Sequence, residues 1–136
     1  MIEIKSSRLK KYLIWLVLGV LSLGRLSAQT NELYIIGSAT PVGWDIANAI
    51  KLVQNTEKST EFSYSGILTA GEFKFPVNRQ TDWQQDMYMK DPSDATKMYL
   101  HHGGDSNDSK WTITKSGNYT IIVDIKDLTI SINNEG

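Results

Sequence analysis

Apolar and polar residues alternate along much of the chain after residue 30, a pattern typical of strands with one buried face. The clearest stripe occupies every second position from Tyr119 to Ile125, and Lys126-Asp127 separates it from a second stripe that begins at Leu128. Two alternating segments with so short a connection predict a tight hairpin. The C-terminal part of the chain is therefore expected to be two antiparallel strands.

Four shorter segments upstream also have strand character, either as fully apolar runs or as alternating ones. The pattern favours no helix of ten or more residues. We therefore predict an all-β fold, an antiparallel immunoglobulin-like β-sandwich of about seven to eight strands that occupies residues 30–136. The four segments are Leu33–Ile36, Phe62–Ser65, Glu72–Val77 and Trp111–Thr114.

The N-terminal residues have a different composition from the rest. Residues 1–29 carry five basic residues and one acidic residue, whereas residues 30–136 have a net charge of −5. The apolar run from Tyr12 to Leu23 is shorter than the roughly 20 residues that a membrane-spanning helix needs. Together with a cleavage site at Leu26-Ser27-Ala28, it predicts a signal peptide over residues 1–28. We expect an exported protein that has no membrane span once this segment is removed, whether outer membrane-associated, periplasmic or extracellular.

Composition excludes several classes of function. These 136 residues contain no cysteine, which excludes a disulfide framework, a thiolate metal site, a cysteine nucleophile and a lipid-modified cysteine among them. The overall net charge of −1 gives no indication of a nucleic-acid partner. A glycoside hydrolase needs two carboxylates at a fixed separation across a cleft. Asp82 and Asp86 are a candidate pair, but no spacing singles them out, and we expect no enzymatic activity.

The polar, glycine-rich segment from His101 to Lys110 is typical of an exposed functional loop. Adjacent histidines seldom converge on one ion, and the acidic stretch that follows lacks the closing glutamate of a calcium loop. We therefore expect no metal or other cofactor. We also expect that His101 and His102 are not needed for ligand binding.

Five residues outside the predicted core are candidates for a binding site. Trp44 lies in a turn-rich stretch, where it either forms an exposed aromatic surface or folds back to close one end of the sandwich. Lys74 lies on the strand face opposite two phenylalanines, where a solvated charge is the alternative interpretation. By contrast, Trp111 lies on an apolar stripe and is expected in the core. The remaining candidates are Trp83, Tyr88 and Asn107.

These side chains suit the recognition of a sugar. A pyranose ring has an apolar face of C–H groups that packs against an indole or a phenol. Its hydroxyls need oriented donors and acceptors, which a lysine ammonium and an asparagine amide supply. The residues therefore suggest a glycan-binding surface.

Several motifs, in order along the chain, resemble the starch-binding domains of the SusE/SusF family of Bacteroidetes-type bacteria. This resemblance implies non-catalytic binding of starch or another α-glucan at the outer membrane, beside envelope glycan-uptake proteins. It assigns the aromatic platform to Trp44 and the hydrogen bonds to Lys74 and Asn107, with a further aromatic at Trp83 or Tyr88. The alternative is an immunoglobulin-like structural or protein-interaction domain of the envelope that binds no glycan. The motifs are Leu33–Asp45, Gly71–Pro76, Asp105–Trp111, Gly117–Ile121 and Asp127–Ile132.

Overall fold

Backbone hydrogen bonds pair short antiparallel strands throughout the part of the chain that the computed structural model describes, residues 30–80 and 83–136. The predicted signal peptide, residues 1–28, lies outside these described residues. The strands are β1 (Tyr34–Ile35), β2 (Ile50–Lys51), β3 (Val53–Gln54), β4 (Glu61–Leu68), β5 (Gly71–Phe73), β6 (Phe75–Pro76), β7 (Met87–Asp91), β8 (Asp94–His101), β9 (Trp111–Ile113), β10 (Gly117–Asp124) and β11 (Thr129–Asn134).

The strands form a curled antiparallel β-sandwich, so the predicted all-β fold is confirmed. One seven-stranded sheet has the order β3-β4-β10-β11-β8-β7-β6, and two pairs, β1-β2 and β5-β9, complete the structure. The described residues contain more strands than the seven to eight predicted. Part of the reason is that single residues interrupt two of the segments, Leu52 between β2 and β3 and Lys74 between β5 and β6.

The predicted C-terminal hairpin is present. Strands β10 and β11 pair in register from Tyr119 opposite Asn134 to Asp124 opposite Thr129. The Asp124 carboxylate accepts hydrogen bonds from the backbone N–H groups of Lys126 and Asp127, at 2.9 and 3.1 Å. These bonds satisfy turn donors that the ladder leaves unpaired.

The main core lies between the sheets, and Trp111 is at its centre. Its indole is only 2% exposed and stacks on Phe73, with the ring centroids 5.4 Å apart and the planes at 16°. Phe75 packs edge-on against the same indole at 5.2 Å, and the Trp111 Nε1–H donates to the Ala95 carbonyl at 3.0 Å. The buried donor is thus satisfied, and the predicted core position of Trp111 is confirmed.

A second, smaller apolar cluster covers the other face of β1 and β7. Residues of these two strands alternate between the clusters, so both strands are buried on both faces. This confirms the prediction that the apolar run beginning at Leu33 is a strand covered on both sides. The buried members of the smaller cluster are Tyr34, Ile36, Ile46, Ala49, Met87 and Met89. Within the ranges described, no helix has both the length and the apolar character needed to cross a membrane.

Candidate functional site

Two exposed tryptophans from different loops meet on the surface. Trp44 is 38% exposed and Trp83 is 41% exposed. Their ring centroids lie 6.3 Å apart, and the ring planes are inclined at 59°. Neither indole therefore closes the end of the sandwich, which was the alternative interpretation of Trp44. The two rings form an angled aromatic surface that solvent reaches.

Two glycines allow the conformation of the loop that carries Trp44. The Gly37 N–H donates to the Gly43 carbonyl at 2.9 Å, and Gly43 has a φ of 62°, in the left-handed region. A Cβ on Gly37 would lie 2.0 Å from the Glu72 carbonyl oxygen, so only glycine allows the loop to cross β5 at this point. This close crossing fixes the loop, and with it Trp44, beside the strand that leads to Lys74.

Lys74 lies beneath the two indoles. Its backbone exchanges two hydrogen bonds with Ile36, at 2.9 and 3.0 Å, and the residue is 6% exposed. The ammonium nitrogen is 5.6 Å from the ring centroid of Trp44 and 5.2 Å from that of Trp83. Both distances are within the range of cation–π attraction. The interpretation of Lys74 as a solvated charge is therefore wrong, because the aromatic rings and the neighbouring loop cover it.

An acidic partner fixes the position of this ammonium. Asp108 accepts from Lys74 Nζ at 2.9 Å through one carboxylate oxygen, and its other oxygen lies 3.1 Å from Lys110 Nζ. Burial alone would raise the pKa of the Asp108 carboxyl, but hydrogen bonds from the two lysines outweigh it and lower the pKa below its ordinary value. Asp108 is therefore an ionised anchor for both cations at neutral pH.

The loop of residues 102–110, which carries Asp108, is tied to the segment that carries Trp83. A Cβ on Gly103 would lie 1.8 Å from the Gln84 carbonyl oxygen, so the two backbones touch where only glycine fits. His102 Nδ1 also lies 3.1 Å from an Asp86 carboxylate oxygen. These contacts place the loop beside Trp83.

The site contains two adjoining clefts that share Lys74, Trp83 and Asp108. The tryptophan cleft, about 370 Å³, is also lined by Trp44, Glu72 and Lys110. The histidine cleft, about 330 Å³, is also lined by Met87, Met89, His101 and Asn107, among others.

The Asn107 amide is exposed at the histidine cleft and makes no hydrogen bond with the described residues. Trp44, Lys74, Trp83 and Asn107 are thus brought together. Because the amide is not committed to the protein, its donors and its acceptor can serve a ligand.

Tyr88 is not at this surface. It is 8% exposed and belongs to the main core, where burial raises the pKa of its hydroxyl, with Asp86 contributing. The alternation along β7 is as expected, because Tyr88 points opposite Met87 and Met89. The main core, however, lies on the tyrosine side, and the methionines face the cleft. Of the two aromatics suggested as a second platform, only Trp83 lies beside Trp44.

The geometry gives little support for a metal site or for a pair of catalytic carboxylates. In the part of the chain that the structure describes, no three His, Asp or Glu side chains are grouped closely enough to hold a metal ion. Asp82, half of the candidate carboxylate pair, lies outside the described residues, and Asp86 contacts His102. The sequence analysis did not assign Asp108 or Lys110 to the site. A usable signal was present, because an acidic and a basic residue lie two positions apart directly before the core residue Trp111.

A known family matches most of the chain. The model of the SusF/SusE starch-specific carbohydrate-binding modules matches residues 32–131, which include every residue of the two clefts. The chain therefore belongs to the SusF/SusE family of starch-specific carbohydrate-binding modules. The chain has no significant match among curated proteins or among solved structures.

Proposed function

We propose that this domain binds starch or a related α-glucan without cleaving it, through stacking on Trp44 and Trp83 and hydrogen bonds from neighbouring polar groups. The observation that carries the proposal is the pair of exposed indoles held over the buried ammonium of Lys74. Large apolar rings are normally withdrawn from water in a small domain. Two that stay exposed together, over a fixed charge, are typical of a binding surface.

The inclination of the rings favours a curved ligand. An α-1,4-linked glucan turns steadily from one glucosyl unit to the next, so successive sugar faces are not parallel. Indoles inclined at 59° present two faces to such a chain, whereas a flat β-1,4-linked glucan would suit coplanar rings better. Each stacked sugar would bury C–H surface against an indole, which supplies much of the binding free energy in a shallow site.

Lys74 and Asn107 supply the directional contacts in this proposal. The ammonium has three donors, and Asp108 occupies one of them, which leaves others for glucose hydroxyls. Because Asp108 and the two rings hold the lysine in place, little side-chain entropy remains to be lost on binding. The uncommitted Asn107 amide adds both donors and an acceptor.

We further propose that the domain acts outside the cytoplasm, where it helps to capture polysaccharide at the cell envelope beside glycan-uptake proteins. The basic start and short apolar run of residues 1–28 support export. Intact-mass measurement of the exported protein tests the cleavage. A mature form that retains Met1 would contradict it.

Affinity gel electrophoresis tests the binding function. We expect amylopectin in the gel to retard residues 30–136, while hydroxyethyl cellulose leaves the mobility unchanged. The Trp44→Ala variant should migrate as if no glucan were present. Unchanged mobility with every α-glucan would instead favour the structural or protein-interaction alternative. Reducing sugar released from amylopectin by the purified domain would contradict the non-catalytic part of the proposal.

A further inference from the structure

The histidine cleft contains a buried polar side chain that the protein itself does not satisfy. His101 ends β8 and is 7% exposed, and its imidazole makes no hydrogen bond with any described residue. Its ring has one aromatic neighbour, Tyr99, edge-on at 6.3 Å. The imidazole nonetheless lines the cleft. Because its ring nitrogens have no partner among the described residues and the ring lines the cleft, they can form a hydrogen bond with water or with a ligand there.

The rest of this cleft combines apolar and polar surface. Met87 and Met89 belong to the smaller apolar cluster, are at most 2% exposed, and contribute to the lining. Trp83 adds aromatic surface, while Asn107 adds an uncommitted amide. A pyranose also combines apolar and polar surface. Its C–H faces can pack against thioethers and indoles, and its hydroxyls can form hydrogen bonds with an imidazole and an amide.

We infer that the histidine cleft is a second subsite, which holds one further glucosyl unit of the chain that stacks on the tryptophan pair. In it the imidazole of His101 exchanges a hydrogen bond with a sugar hydroxyl. This inference rests on the proposed α-glucan binding and revises the sequence-based expectation that His101 is not needed. The cleft volume, about 330 Å³, is at the small end of the range for ligand pockets, which fits a single sugar unit.

Continuity between the two clefts supports one ligand rather than two. Lys74, Trp83 and Asp108 line both clefts, so a chain in the tryptophan cleft reaches the other without leaving the surface of Trp83. The subsite then contributes only when the oligosaccharide is long enough to enter both clefts. Affinity should therefore increase in a step as the chain is lengthened.

Calorimetry with maltose, maltotriose, maltotetraose and maltohexaose measures this step. For the wild type we expect a gain in affinity once the second cleft is filled. His101→Phe, which keeps a ring beside Tyr99 but removes the hydrogen bond, should lose about three- to tenfold on the longer ligands and leave the shortest unaffected. His101→Gln should recover part of the gain. Leu100→Ala, at the exposed neighbour on the same strand and outside both clefts, is the control and should behave as wild type.

The outcomes separate this inference from the function on which it rests. Failure of the wild type to bind any of these oligosaccharides would overturn both. Binding that requires Trp44 but is identical in wild type and His101→Phe at every chain length would overturn the subsite alone.

A measurement on the wild type covers the case in which the His101 variants do not fold. NMR of the imidazole should show His101 signals shifted by maltohexaose, with little change from the shortest ligand that binds. Signals that remain in place while the Trp44 indole signal moves would overturn the subsite.

Discussion

The indole of Trp44 lies 6.3 Å from that of Trp83, and both rings contact one ammonium, that of Lys74. The two tryptophans come from loops far apart in the sequence, and backbone contacts that only glycine permits help to hold each loop. The aromatic surface is therefore formed by the fold itself, before any ligand arrives. A preformed site loses less conformational entropy on binding than a flexible one.

Substitution of the core tryptophan should lower the free energy of unfolding far more than substitution of either exposed tryptophan. Trp111→Ala removes a core side chain that stacks on Phe73, and we expect a loss of about 3–5 kcal/mol in the free energy of unfolding. Trp44→Ala and Trp83→Ala remove exposed rings and should each cost less than about 1 kcal/mol. Urea unfolding of the three variants measures this. Equal losses for Trp44→Ala and Trp111→Ala would show that Trp44 is part of the core.

Asp108→Asn tests whether the carboxylate positions Lys74. Loss of the charged partner should free the ammonium and weaken glucan binding by about three- to tenfold. Asp94→Asn is a suitable control, because that carboxyl also has a lowered pKa but lies at the start of β8, outside both clefts. Unchanged affinity in Asp108→Asn would contradict the positioning role.

The pH dependence of binding follows from the same carboxylate. Its lowered pKa keeps Asp108 ionised throughout the neutral range, so wild-type affinity for the shortest oligosaccharide that binds, which does not reach His101, should be constant between about pH 5 and pH 8. Protonation should release Lys74 only below the ordinary carboxyl value of 3.8. Calorimetry across this range, with circular dichroism to confirm folding, measures the profile. A loss of affinity centred near pH 6 would show that another group controls the site.

Gly103→Ala tests the contact between the two loops of the site. The new methyl group would collide with the Gln84 carbonyl, so one backbone must shift and carry Trp83 or Asn107 out of position. We expect at least a tenfold loss of affinity, about 1.4 kcal/mol or more, with a smaller effect on thermal unfolding of the sandwich. Ser106→Ala, in the same loop, is the control. Full affinity in Gly103→Ala would mean that this contact does not position the ligand-binding groups.

Acid stability should depend on Asp124. Burial alone would raise its pKa, but the ion pair with Lys58, at 2.8 Å, and the hydrogen bonds from the backbone N–H groups of Asp127 and Lys126 outweigh it and lower the pKa to about 2. Since the folded state binds its proton less readily than the unfolded state, the stabilisation is complete above about pH 5 and is lost as the pH falls towards 2.

The difference from the ordinary value of 3.8 corresponds to about 2 kcal/mol. Urea unfolding at several pH values should show this loss in the wild type. Asp124→Asn should be less stable at neutral pH and should show a flatter profile. Asp127→Asn is the control from the same turn. Parallel profiles for Asp124→Asn and wild type would contradict this assignment.

Period-two patterning was sufficient to predict the sandwich and its C-terminal hairpin, because a long strand with one buried face has an apolar residue at every second position. It also distinguished Trp111, on a stripe, from Trp44, in a turn. Strand β8 was not predicted, since Asp94 to Lys97 are all exposed and give the segment no apolar alternation. Pairing with other strands holds it in place: Met98 to His101 pair with β7, and Lys97 pairs with Thr129 of β11.

The site was only partly predictable, because its geometry depends on contacts between loops. Nothing local indicated that Lys74 would be covered, since Trp83 and Asp108 reach it from elsewhere in the chain. The choice between Trp83 and Tyr88 also required the structure. Alternation along β7 placed Tyr88 opposite the methionines, but it did not show which side carries the main core.

The most direct test of the account is calorimetry of maltohexaose binding to the wild type and to Trp44→Ala and Trp83→Ala. We expect binding by the wild type and none that is detectable in either variant, with the unfolding midpoints of all three nearly equal. Wild-type affinity in both variants would contradict the account, because the angled indole pair would then not be where the glucan binds.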